Sequence, residues 1–304
     1  MECFSLEVLN EHGNLDREVA GSYVSYAGLA LAGYLDQIQD NRVTLIGKSE
    51  LGYLAQLDEK TRFQRWHDFA SHEKIPCAIS SKNHEIPPWA LKIADEHNLP
   101  MLSSELPPRA LMPRLIDFLR HELAPTKHMH GVAMDVCGMG ILLTGKSGVG
   151  KSECALELVK RGHRLISDDV IILKKINDES LFAACPSQLR HHMELRGIGL
   201  VDIRSLFGVG AISEGKDVDL VIQFEEAQRG SVYERLGLDQ RFLSILGVEI
   251  PLLVIPVTEG KNLSVVIEAA AMNQHLRLLG INSARELTNQ VFLRLNPNAR
   301  ELPK

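Results

Sequence analysis

Apolar and polar positions follow two periods along this chain, and the switches between them outline its elements. In the first 120 residues, 42–46 and 77–79 read as strands, whereas 50–57, 61–69 and 88–97 carry apolar residues at helical spacing. Strand alternating with helix in this way predicts a small α/β domain. A further helical period at Leu111, Leu115, Ile116 and Leu119 stops at the polar stretch HELAPTKHMH, residues 121–130. The linker is placed there, at 125–127, with an N-terminal domain over 1–126 and a C-terminal domain over 127–304.

Beyond the linker, 139–144 reads as a short strand, 151–161 as a helix stopped by Gly162, and 169–173 as a strand. Val218, Leu220, Ile222 and Phe224 alternate with Asp219 and Gln223, which predicts a strand with one solvated face and a sheet that is not wholly parallel. Two helices close the C-terminal domain. Asn262 caps the first, which runs to about Leu279, and Ser283 with Glu286 forms a capping box for the second.

Composition narrows the function classes. The 304 residues are 45% hydrophobic and 24% charged, the balance of a soluble protein with more chain than one core usually organises. A net charge of −6 argues against a surface that coats nucleic acid. The apolar run at 250–257 is far shorter than the roughly 20 residues of a membrane helix, and Pro251 and Pro256 interrupt it. No basic start followed by an apolar stretch opens the chain, so a cytoplasmic location is expected. Five cysteines without CxxC or Cys/His spacing predict reduced, mostly buried thiols and neither a disulfide framework nor a zinc site. The paired histidines His191 and His192, and His128, have no carboxylate at metal-ligand spacing and read as structural or surface residues.

One motif carries chemistry on its own. Gly145, Lys146, Ser147, Gly148, Val149, Gly150, Lys151 and Ser152 satisfy GxxxxGK[ST] between a strand and an amphipathic helix. Glycines let successive backbone N–H groups face a polyphosphate, the helix start adds its positive end, Lys151 reaches the β- and γ-phosphates, and Ser152 ligates Mg²⁺. Nucleotide binding, with ATP and Mg²⁺, is expected. Downstream, an apolar run ends in Asp168 and Asp169, a Walker-B-like pair in which one carboxylate holds metal and the other takes a proton, or else a turn before the strand at 170–173. Glu194, Leu195, Arg196, Gly197, Ile198 and Gly199 place an acid, a base and two glycines in a loop suited to close approach by a ligand. Arg235 fits a paired surface helix residue as well as a functional one.

These motifs together resemble the bacterial HPr kinase/phosphorylase family, whose members phosphorylate a serine of the small phosphocarrier protein HPr. The resemblance is carried by His130-Gly131-Val132, fifteen residues before the phosphate loop, by GKSGVGKSE, by ALELVKRGHRLISDD and by ELRGIGLVDIRSLFGVGAI. The stretches from Ile46 to Leu54 and Leu123 to Pro125 resemble the family less diagnostically. It implies two α/β domains, the larger a P-loop domain on a mixed sheet related to carboxykinase-type kinases, assembled as a homohexamer.

By the same resemblance Lys151 stabilises the transferring phosphoryl group, Ser152 and Glu194 hold Mg²⁺, and Asp169 is the base for the serine hydroxyl. His130 tunes that carboxylate, and Arg235 completes the catalytic set. A reverse reaction is implied too, in which phosphate attacks phosphoserine and pyrophosphate leaves. Its segment is Pro256, Val257, Thr258, Glu259, Gly260 and Lys261, where Thr258 and Glu259 replace the basic residue and proline usual before the glycine. An added carboxylate repels phosphate, so a kinase-biased enzyme is expected. The alternatives are a small-molecule kinase or carboxykinase-like enzyme, and a non-catalytic ATP-gated module.

Overall fold

The structure, a computed structural model, describes residues 4–38, 41–226, 240–258 and 262–295. The chain divides into two compact units, Met1–Ala124 and Pro125–Lys304. In the first unit β1 (Leu6–Val8), β2 (Ser25–Tyr26), α1 (Gly28–Leu31), β3 (Thr44–Ile46), α2 (Lys48–Gln56) and α3 (Glu59–Ala70) are followed by β4 (Ala78–Ser81), α4 (Pro88–Glu96), β5 (Met101–Ser104) and α5 (Pro108–Glu122). The sheet runs β1-β5-β4-β3-β2, parallel except for β1. Side chains alternate across it. Ile46, Ala78 and Met101 share a core with Trp66, Phe69 and Ala90, whereas Leu45, Ile79 and Leu102 pack under Leu111, Leu115 and Leu119 of α5. Both faces are thereby covered, as a parallel sheet requires.

The second unit is built on β6 (Thr126–Val136), β7 (Met139–Gly145), α6 (Lys151–Lys160), β8 (Arg164–Lys175) and β9 (Leu181–Ala184). A hairpin of β10 (His192–Leu195) and β11 (Gly199–Asp202) leads into α7 (Ile203–Phe207). Then come β12 (Gly215–Asp217), β13 (Leu220–Glu226), β14 (Arg241–Ile245), β15 (Val248–Val257), α8 (Leu263–Leu278) and α9 (Ser283–Leu295). Eight strands form one mixed sheet in the order β12-β9-β8-β6-β7-β13-β15-β14. Helices α6 and α8 cover one face, where Cys154, Leu158, Ile267 and Ala271 meet Val132, Met134, Ile141 and Leu143. Ala133, Leu142, Ile171 and Val221 face a separate core on the other side. No helix among the described residues is long and apolar enough to cross a membrane.

A charged clasp joins α8 to the end of α6. Glu268 accepts from Arg161 Nε at 2.9 Å and Nη2 at 2.6 Å, and from His163 Nε2 at 2.9 Å. The Cys137 backbone N–H points at His163 Nδ1 at 3.4 Å, which makes Nδ1 the acceptor and leaves Nε2 as the donor to Glu268. Both partners hold Glu268 well below the usual carboxylate range, at about 2, against the opposing effect of burial.

Several local expectations are corrected. Lys127, assigned to the linker, lies inside β6, whose first residues are polar because that end of the strand is solvated. Strand β13 is buried on both faces, with Val221 and Ile222 fully enclosed, and is parallel to both β7 and β15. The sheet is mixed because β6, β8, β9, β12 and β14 pair antiparallel, not because β13 has a wet face. The side chain of Asn282, not of Ser283, caps α9, accepting from the Arg285 N–H at 3.1 Å. Of the free thiols, Cys154 is buried and Cys77 and Cys185 are half-buried, but Cys137 is exposed, and Cys3 lies outside the described residues. Burial pushes the Cys77 thiol up to about 12 and the Cys154 thiol to about 11.

Candidate active site

The phosphate loop joins the buried centre of the sheet to the start of α6. β7 is parallel to β13, and Gly145 ends it against that neighbour so tightly that a Cβ would stand 2.6 Å from the Phe224 carbonyl oxygen. The loop turns through Gly148 at φ +82° and Gly150 at φ +96°, backbone that side-chain-bearing residues adopt only with strain. Lys151 folds back across it, its Nζ donating to the carbonyls of Gly145 at 3.0 Å and Lys146 at 2.9 Å. The ammonium therefore lies over the same loop whose N–H groups can cradle phosphate.

Asp168 and Asp169 sit in the middle of β8, not in a turn before a strand. The ladder with β6 pairs Val132 with Asp168, Gly131 with Asp169 and His130 with Val170. Asp169 has φ +66°, a conformation that costs a residue with a side chain about 1–2 kcal/mol and that asparagine and aspartate tolerate best. The Ser167 hydroxyl spans the pair, donating to the Val170 carbonyl at 2.5 Å. Successive side chains of a strand point to opposite faces, and the two neighbouring carboxylates have opposite environments. Asp168 is 5% exposed, whereas the Asp169 side chain is 68% exposed.

The buried member is a junction. Asp168 Oδ1 accepts the Ser152 hydroxyl at 2.9 Å, and Oδ2 accepts the Glu194 N–H at 3.1 Å. Burial raises its pKa, and the hydrogen bonds from Ser152, Glu194 and the Asp169 N–H oppose that shift by favouring the charged form. The exposed member faces His130, whose Nδ1 is 3.5 Å from Asp169 Oδ1, an ion-pair distance when the imidazole is protonated.

Glu194 to Gly199, read as a loop, forms most of the β10–β11 hairpin. Met193 and Leu195 are buried in the core shared with α6, so the period of two turns Glu194 to solvent between them. Arg196, Gly197 and Ile198 make the turn, with Gly197 at φ +83° and Gly199 at φ +92°. At this tip the Arg196 guanidinium rests on the phosphate loop, its Nη2 2.8 Å from where a Cβ on Gly148 would be. Phosphate loop, carboxylate pair, His130 and Glu194 are thus brought together in one unit. Pro256 and Val257 end β15 beside Glu225 and Glu226 of β13, and Thr258 follows. Arg235, Glu259, Gly260 and Lys261 lie outside the described residues.

Sequence reasoning missed the bracing of Ser152 and Glu194 by one carboxylate, and the seat of Arg196 on Gly148. It also missed β6, the strand that presents His130, although His128 and His130 alternate with the half-buried Met129 as strand residues do.

A glycine loop between strand and helix, with a lysine and a serine at the helix start and a buried carboxylate bonded to that serine, defines a P-loop phosphoryl-transfer protein. Comparison with known sequences narrows the class. Residues 1–119 match the HPr Serine kinase N terminus and residues 121–291 match the HPr Serine kinase C-terminal domain, so the chain belongs to the HPr serine kinase family. It is 40% identical over 291 residues to the HPr kinase/phosphorylase of Bacillus subtilis (strain 168), covering 96% of this chain and 94% of that one. The HPr kinase/phosphorylase of Alkaliphilus metalliredigens is 39% identical over 301 residues, 99% of this chain and 97% of its own. A solved structure, the Hpr(Ser) kinase/phosphatase from Coxiella burnetii, matches at 33% identity and a TM-score of 0.48, over 53% of this chain and 98% of that one.

Proposed function

We propose that the protein is an ATP-dependent protein-serine kinase for HPr that also removes the phosphate by phosphorolysis. The observation that carries this reading is the Asp168 junction. The two residues that the family resemblance assigns to Mg²⁺, Ser152 and Glu194, are tied to a single buried carboxylate. The donors are a hydroxyl and a carboxylate, all hard oxygen, and they suit a cation that keeps water and phosphate oxygens in the rest of its shell. Held there, Mg²⁺ supplies charge neutralisation to the β- and γ-phosphates.

The chain's own residues do the remainder. The loop N–H groups and Lys151 position the triphosphate. Asp169, exposed to solvent, takes the proton from the HPr serine hydroxyl as its oxygen attacks the γ-phosphorus. His130 steadies that carboxylate from 3.5 Å. In reverse, phosphate attacks the phosphoserine phosphorus, the bond to the serine oxygen breaks, and the Asp169 carboxyl returns a proton to that oxygen, leaving free serine and pyrophosphate. Arg235 keeps the catalytic role that the resemblance implies, and the working assembly is a hexamer by the same argument.

The deciding experiment is transfer of labelled γ-phosphate from ATP·Mg²⁺ to purified HPr, with an HPr whose acceptor serine is replaced by alanine as control. Serine-dependent labelling followed by pyrophosphate release on phosphate addition is expected. ATP binding without labelling overturns the reading in favour of a small-molecule or regulatory function.

A further inference from the structure

Strand register assigns Asp169 to the wrong side of the sheet for the contact it makes. The ladder of β6 with β8 pairs His130 with Val170 and Gly131 with Asp169, and it runs without a shift from Thr126 to Ala133. Directly paired residues share a face, and successive residues alternate between faces. His130 therefore belongs with Val132, which packs in the core under α6, whereas Asp169 belongs with Ala133 and Ile171, which face the opposite core. A regular strand would keep the imidazole and the carboxylate on opposite sides. Asp169 Oδ1 nevertheless lies 3.5 Å from His130 Nδ1.

The departure that permits this contact is one residue long. In β8 only Asp169 has a positive φ, +66°, and a left-handed residue breaks the alternation of the pleat where it stands. Such a conformation persists only when its surroundings hold it, since an extended strand is the lower-energy course for a residue with a side chain. Ser167 provides the hold. Its side chain is buried, and its hydroxyl donates across the two carboxylates to the carbonyl of Val170, the residue just beyond Asp169. Paired with Ala133, Ser167 stands on the face away from α6 and the phosphate loop. It acts on the site through the backbone alone.

We propose that Ser167 is a positioning residue for phosphoryl transfer, its hydroxyl holding the left-handed turn that aims the Asp169 carboxylate at the acceptor hydroxyl. This rests on the reading of Asp169 as the base. Without the hydroxyl the kink relaxes toward the extended course and the carboxylate swings away from His130. A misplacement of about 1 Å at a reacting group costs up to about a hundredfold in rate.

The test is Ser167→Ala, made in the wild type and in the Asp169→Asn background, with kcat for transfer to HPr and the KM for ATP measured for each. Ser167→Cys, which keeps the shape and weakens the donor, is the second variant should Ser167→Ala not fold. The expected result in the wild-type background is a fall in kcat of at least tenfold, with the KM for ATP within twofold and no recovery at high Mg²⁺. In the Asp169→Asn background the same substitution should change kcat less than twofold, because aiming a base that is already gone costs nothing. A wild-type-background kcat within twofold overturns the proposal. An equal loss in both backgrounds also overturns it, since Ser167 then supports the fold at large, and recovery at high Mg²⁺ overturns it by routing the effect through Asp168. Undiminished transfer by Asp169→Asn itself is a separate, earlier failure, that of the base reading, and takes the positioning role with it.

Discussion

Asp168 accepts the hydroxyl of Ser152 with one carboxylate oxygen and the backbone N–H of Glu194 with the other. A helix start and a hairpin that are far apart in sequence are thereby fixed to the same buried group. Asn in place of Asp168 has only one acceptor oxygen. With that oxygen on the Glu194 N–H, its NH₂ faces the Ser152 hydroxyl and donates to it, which reverses that arm of the junction and takes up an oxygen lone pair that a metal ion would use. Asp168→Asn is expected to lower kinase activity about 10- to 100-fold, the usual cost of losing a group that orients metal ligands. The loss should be partly recovered at high Mg²⁺, which a titration of rate against Mg²⁺ concentration reads directly. A loss that Mg²⁺ does not relieve places the role of Asp168 elsewhere.

Asp169 is adjacent in sequence but open to solvent, and makes its contact with His130 instead. Asp169→Asn preserves size and removes the base. A drop of about two to four powers of ten in phosphoryl transfer is expected, with nucleotide affinity retained. Equal loss of ATP binding in a fluorescence titration identifies Asp169 as a metal holder.

The phosphate loop was legible because its physics is local: glycine, lysine and serine at fixed spacing serve one turn. What depends on partners distant in the chain was not. Strand β13 shows an apolar alternation interrupted only by Val221, and its burial on both faces comes from β7, β15 and the helices above, which leave no mark on its own sequence. Two glycines among polar residues at 194–199 suggest a loop, yet Met193 and Leu195 anchor one strand of a hairpin to α6. Asn282 and Ser283 are both capping residues, and only the backbone path decides between them.

Arg196 projects from the hairpin tip onto Gly148 and makes no ion pair among the described residues. An uncommitted planar cation at the phosphate loop is suited to charge that builds on the transferring phosphoryl group. Arg196→Ala is expected to reduce kcat about a hundredfold, the scale for loss of one preorganised donor, with the KM for ATP changed less than threefold. Arg196→Lys should not restore it, because an ammonium lacks the fork. An Arg196→Ala enzyme with normal kcat and a raised KM for ATP makes the residue a binding contact only.

Thr258 and Glu259 stand where the family resemblance leads one to expect a basic residue and a proline. Phosphorolysis by this protein is therefore expected to need more phosphate than the Thr258→Arg/Glu259→Pro variant does. Pyrophosphate release measured against phosphate concentration should give a KM that falls several-fold in the variant. A low phosphate KM in the unaltered protein counts against the kinase bias.

Glu268 on α8 closes the clasp with Arg161 and His163 at the far end of the phosphate-loop helix, and its side chain is 16% exposed. Its carboxyl is held at about 2 in the folded chain, below the ordinary 4.5. A depressed carboxylate stabilises the fold fully above the unfolded value and loses that contribution as pH falls through the folded one. Glu268→Gln is accordingly expected to cost about 2 kcal/mol of unfolding free energy at pH 7, the scale of hydrogen bonds to a charged group. The difference from wild type should begin to narrow below pH 4.5 and continue narrowing toward about 2, since protonation does to the wild type what the substitution does to the variant. Urea unfolding of both proteins at pH 7 and at pH 4 measures it. A difference that is constant with pH means that the clasp acts through packing of the Arg161 and His163 side chains and not through the charge of Glu268.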